Sequence, residues 1–123
     1  MSEYQEPPQV GLSSAAHAKL SRLKDEGHFN EMSDAYRCSV ALALAHGAIA
    51  GKDTKSNKTT FSVSTLDRDR TLFAITKALR LDEDEAVYRT VERLAEWGVN
   101  ELSEIADKGE IQFSDLLRNT RQK

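Results

Sequence analysis

Few residues in this chain are of the types that carry reaction chemistry, and their spacing does not bring them together. His17, His28 and His46, with the single Cys38, are the imidazole and thiol ligands available to zinc. None stands at His-x3-His or Cys-x2-Cys spacing, so no metal site is expected. His46 precedes Gly47, where a partly charged imidazole suits the negative end of a helix. Cys38 lies in an apolar run, whereas a nucleophilic thiolate needs an accessible, electropositive setting, so it reads as a small core residue. The acidic run from Asp82 to Glu85 lacks the alternating ligands, turn glycine and terminal glutamate of a calcium loop. Carboxylates in a first helical turn already have a structural reason to be there. Asp67 and Asp69 alternate with Arg68 and Arg70, as on a self-compensating surface. With no acid–base pair or activated nucleophile, neither an enzyme nor a cofactor is expected.

Nucleic-acid contact is the chemistry left to consider. In a two-stranded ribbon laid in a major groove, alternate side chains face base edges and the others face the core. With Val10 and Leu12 inward, Gln9, Gly11 and Ser13 face outward. Gln reads adenine through two hydrogen bonds and Ser pairs with several bases, while Gly11 offers no side chain. Backbone N–H groups around Met32, Ser33 and Asp34, at the start of a helix, suit a phosphate. Lys19, Lys24, Arg37, Lys52, Lys55 and Lys58 are the available phosphate partners. Taken singly, each of these cations reads better as an ordinary solubilising residue. Trp97 is a side chain of the kind that anchors protein interfaces, or else covers a helix end.

Positioning such residues requires a particular order of elements. Met1 to Pro8, with two prolines, reads as a flexible tail. Gln9 to Leu12 alternates as a half-buried strand does, and four residues need a partner strand. Ser13 caps a helix with Ala16, Leu20 and Leu23 on one face, stopped by Gly27. Phe29 turns back toward the core from the corner. Ser33 caps a second helix that is apolar on nearly every face from Ala35 to Ala45, including Tyr36, Val40 and Leu44. Such a helix is surrounded by protein, and in a chain this small a second subunit is the simplest cover. Val10, Leu12, Tyr36, Val40, Leu44 and Trp97 are therefore the expected interface residues, and a homodimer or higher oligomer the expected state.

Residues 52–60 read as a polar linker, and Thr60 to Ser64, alternating around Phe61 and Val63, as a second short strand. Asp67 opens a helix with Leu72, Ile75 and Leu79 inward. Asp82 opens another, with Glu85 at a capping-box position and Gly98 as its stop. Asn100 caps a last helix that Gly109 ends, and Ile111 to Leu117 adds a final turn or two. The expected organisation is a tail (1–8), a dimerisation unit (9–51), a linker (52–60) and a compact helical extension (61–123).

Composition bounds these readings. The chain has 123 residues, 39% hydrophobic and 30% charged, which suits one soluble domain without disulfides. Its net charge of −3 lies wholly in residues 61–123, since residues 1–60 balance seven Lys/Arg against seven Asp/Glu. The longest apolar stretch, Val40 to Ala45, is far short of the roughly 20 residues that span a bilayer, and the start is unlike a secretory signal. A cytoplasmic protein is expected.

Residues 9–47 resemble the ribbon-helix-helix (Arc/MetJ-like) superfamily. The likeness rests on Val10-Gly11-Leu12-Ser13, on Leu20, Leu23 and Gly27, and on Ser33-Asp34-Ala35-Tyr36-Arg37 at the second helix start. It implies a mainly α fold built on an intertwined dimer. It also implies double-stranded DNA contacts through Gln9, Gly11 and Ser13, with Ser33 and Asp34 at the backbone. The resemblance points to a regulator or accessory subunit, including small components of bacterial DNA-modification or defence systems. The alternative is a protein-interaction or scaffold module of a bacterial multiprotein system that uses the same fold only for assembly.

Overall fold

The computed structural model describes residues 5–79, 84–109 and 111. It is mainly helical, with one two-stranded antiparallel sheet. Strand β1 is Gln9–Leu12, as its alternation predicts, and its partner is β2, Lys58–Ser62, from the same chain. Gln9 pairs with Ser62 and Val10 with Phe61; Thr60 is then skipped, so that Gly11 meets Thr59 and Leu12 meets Lys58. This irregularity presses the strands together, and a Cβ on Gly11 would overlap the Lys58 carbonyl oxygen. Close backbone approach, with no side chain to accommodate, is what glycine allows at that position.

Helix α1, Ser14–Asp25, begins where expected: the Ser13 hydroxyl accepts the Ala16 N–H at 3.2 Å. Gly27, with φ of 85°, ends it in a Schellman turn. His28 N–H donates to the Leu23 carbonyl and Gly27 N–H to that of Lys24. Phe29 does pack back against the core. Helix α2, Met32–His46, starts two residues earlier than a cap at Ser33 predicts. Its N-cap is Glu31, which makes no side-chain capping bond, so Ser33 lies inside the first turn. Gly47 closes α2 in the left-handed region with φ of 64°, while Ala48 N–H reaches the Ala43 carbonyl.

After β2 the chain makes a short helix α3, Val63–Leu66, a tight turn, and α4, Thr71–Leu79. Asp67 does not open α4, which starts four residues later at Thr71; from outside that helix its carboxylate accepts the Leu72 and Phe73 N–H groups, each at 2.9 Å. The expected inward stripe of α4 is rotated. Thr76 is buried and Leu72 half-buried, whereas Ile75 and Leu79 are 43% and 55% exposed.

Helix α5, Val87–Asp107, replaces the two helices expected to meet at Gly98. Gly98 is not a stop. It sits at the crossing of α5 over α2, where an added Cβ would lie 2.6 Å from the Ser39 Cα. A mid-helix glycine costs about 1 kcal/mol against alanine, and the close helix contact outweighs that. The cover for α2 that the sequence seemed to require from a second subunit is thus supplied by α5 of the same chain. Val10, Leu12, Tyr36 and Val40 are consequently buried in a core shared with Tyr88, Val91, Leu94, Ala95 and Val99. A second cluster joins Leu23, Leu42, Leu102 and Ile111. The core therefore runs continuously across the expected boundary between residues 9–51 and 61–123. Asp82 and the segment after Ile111 lie outside the described residues. Glu85 does not form the anticipated capping box; the start of α5 is capped by Glu6, whose carboxylate oxygens accept the Val87 and Tyr88 N–H groups, each at 2.9 Å. Glu6 gives the expected flexible tail a fixed point.

Candidate interaction surface

Strand β1 has two edges, and both are occupied within the chain. One pairs with β2. On the other, Gly11 N–H donates to Glu92 Oε2 at 2.9 Å and Ser13 N–H to Glu96 Oε1 at 3.0 Å. The Ser13 hydroxyl also donates to Glu96 Oε2 at 2.6 Å, and the Tyr36 hydroxyl donates to the Gly11 carbonyl at 3.2 Å. Gly11 and Ser13 therefore do not form an outward reading face: Gly11 is buried, and both are held by α5 carboxylates. The physical reason is that α5 places two acids, four residues apart, opposite an otherwise unpaired strand edge.

Burial raises the Glu92 carboxyl above its ordinary range, against the opposing pull of Arg89, whose guanidinium lies 2.9 Å away. Burial, with the Glu92 and Glu96 charges, likewise pushes the Tyr36 phenol well up, so its proton stays available for donation to Gly11. Glu92 and Glu96 escape a motif search because isolated acids on a helix usually face water. Their signal was position: both border the apolar stripe of Val91, Ala95 and Val99.

The remaining sequence candidates are scattered. Gln9, Asp34, Lys52, Lys55 and Lys58 are exposed. Asp34 pairs with Arg37 at 3.2 Å, and the Arg37 Nε donates to the Leu66 carbonyl at 2.9 Å. Ser33 and Leu44 are half-buried. Trp97 is also half-buried and packs on both core clusters, its ring 5.4 Å from that of His46. The Cys38 thiol is raised by burial, the direction that makes a sulfur inert. His28 lies 3.8 Å from Glu26, and neither it nor His17 adjoins Cys38 in any metal-type cluster among the described residues.

What the surface does expose is α4. Ala74, Ile75, Ala78 and Leu79 form one continuous outward apolar strip. Arg70 and Lys77 border it on the Phe73 side: the Arg70 guanidinium lies 4.1 Å and the Lys77 ammonium 5.8 Å from the Phe73 ring centre. Arg70 adopts left-handed backbone, φ 61°, in the turn that launches α4. That conformation costs a non-glycine residue about 1 kcal/mol. An open groove of about 610 Å³ adjoins this turn, walled by Pro7, Val63, Arg68, Arg70 and Tyr88. Its two carboxylates are engaged, Glu6 by α5 and Asp67 by α4 and by the Tyr88 hydroxyl at 2.8 Å. No ion pair at Arg68, Arg70 or Lys77 occurs among the described residues. No described helix is long and apolar enough to cross a membrane. Comparison with known protein families, characterised proteins and solved structures gives no match.

Proposed function

We propose that this chain is a protein-interaction or scaffold module of a bacterial multiprotein system, acting by contact and not by catalysis. The carrying observation is the outward apolar strip of α4. Ile75 and Leu79 are the large hydrophobic side chains left exposed among the described residues. Fully burying such a side chain is worth about 1.5–3 kcal/mol, so covering their exposed halves would contribute about 1 kcal/mol each. The engagement of Gly11 and Ser13 by α5 supports this reading over base recognition. Affinity capture from a nuclease-treated bacterial extract tests it, comparing the native chain with Ile75→Gln/Leu79→Gln. A partner held by the native chain and lost by the variant is expected; equal retention by both would refute the reading.

A second reading is contact with duplex DNA through the segment before β2 and the strand itself. It is favoured by the exposure of Lys52, Lys55 and Lys58, and of Gln9. Phosphate contacts are strongest at low salt, so titration of duplex DNA first at low and then at moderate salt decides it.

A further inference from the structure

We infer that the α4 strip takes an amphipathic helix of another protein that carries carboxylates along one flank; this rests on the interaction reading above. Going round α4, Ala74 and Ala78 form the centre of the exposed face, with Arg70 and Lys77 on one side and Ile75 and Leu79 on the other. The two alanines let a second helix approach closely. Ile75 and Leu79 provide apolar anchors, and the two cations form a fence that only one sign of charge satisfies. Nine residues make a face about 14 Å long, the scale of a helix laid in a groove and not of a stable symmetric dimer, which buries about 800 Å² per partner.

Charge also argues against the other occupants. Helix α4 contains no acid, so a second copy seated α4 against α4 offers Arg70 and Lys77 no counter-charge. In the antiparallel two-fold arrangement the cationic flanks face each other; in the parallel one they face Ile75 and Leu79. Residues 112–123 of the chain itself carry Arg118, Arg121 and Lys123 against the single acid Asp115, a net positive charge and again the wrong sign. A carboxylate-flanked helix meets both requirements of the strip at once.

The test uses two synthetic helical peptides with identical Leu/Ala positions, one with glutamates along a flank and the other with lysines in their place. Amide resonances of the full-length chain report where each binds. The glutamate peptide is expected to shift residues 70–79 and to bind at least about ten-fold tighter than the lysine peptide at low salt, the gap shrinking as salt screens it. Ile75→Gln/Leu79→Gln should weaken both peptides, and Arg70→Glu/Lys77→Glu should invert the preference. Both pairs alter exposed side chains, and an unchanged circular dichroism spectrum verifies the fold. Equal binding of the two peptides at α4 would overturn the acidic-partner class while leaving the interaction reading in place. Failure of the glutamate peptide to move α4 resonances would overturn the inference itself, with the capture experiment deciding the interaction reading separately. Self-association abolished by Ile75→Gln/Leu79→Gln would make a second copy the occupant and likewise overturn it.

Discussion

The Gly11 backbone N–H donates to the Glu92 carboxylate at 2.9 Å, joining residues 81 apart in sequence and closing the outer edge of β1 with a side chain. A carboxylate in that position has a pH signature. Burial raises the Glu92 carboxyl above 4.5, so just above that pH the native chain keeps a proton that the unfolded chain has released. The stability due to this group therefore falls as pH rises through the window between the two values. Glu92→Gln retains an oxygen for Gly11 and removes the titration. Relative to the native chain, its melting temperature is expected to rise between pH 4 and pH 7. A constant difference across that range would show that Glu92 does not titrate with folding.

Gly98→Ala tests the helix crossing. Alanine gains about 1 kcal/mol of helix propensity, yet its methyl would collide with the Ser39 backbone, which cannot swing aside as a flexible side chain can. Overpacking of this kind costs about 3 kcal/mol. Net destabilisation of about 2 kcal/mol is expected by urea unfolding; a neutral variant would mean that α2 and α5 are less closely apposed.

Leu42→Asp and Ile75→Gln/Leu79→Gln should separate core from surface. Leu42 is 4% exposed and packs with Leu23 and Leu102. Losing it costs about 4 kcal/mol before the buried charge is added, a large part of the roughly 5–15 kcal/mol that holds a domain together. The first variant is expected to unfold. The second should melt within about 0.5 kcal/mol of the native chain, as exposed substitutions do.

Gln9→Ala is expected to leave stability unchanged, because Gln9 is exposed and, among the described residues, only its backbone is paired. Under the interaction reading, gel-shift titration shows no saturable duplex binding by either chain at low salt. Saturable binding by the native chain that weakens in Gln9→Ala would favour the DNA reading.

Local signals were legible in the sequence. The strand at Gln9–Leu12, the Ser13 cap and the Gly27 and Gly47 stops each follow from a few adjacent residues. The long-range pairings were not. Gly98 looks like a helix terminator because glycine usually is one, and only the approach of Ser39 gives it another role. Likewise, an apolar α2 announces that it must be covered without saying by what; the answer lies some fifty residues downstream in α5. The α4 strip misled in the opposite sense, since Leu72, Ile75 and Leu79 have core periodicity while the fold turns only Leu72 toward the interior. Of the candidate surface, Asp67, Arg68 and Arg70 stand out in the sequence only as alternating charges. Their arrangement depends on a left-handed turn at Arg70 that nothing in the residue's chemistry foretells.

The central position of α5 has a consequence for how the chain is made. The bare flank of α2, the open margin of β1 and the acid at Glu6 are each completed by residues 87–107. A nascent chain emerging from the ribosome carries these unfinished surfaces exposed until residues 87–107 are translated. Its greatest risk of aggregating, or need of a chaperone, falls in that interval.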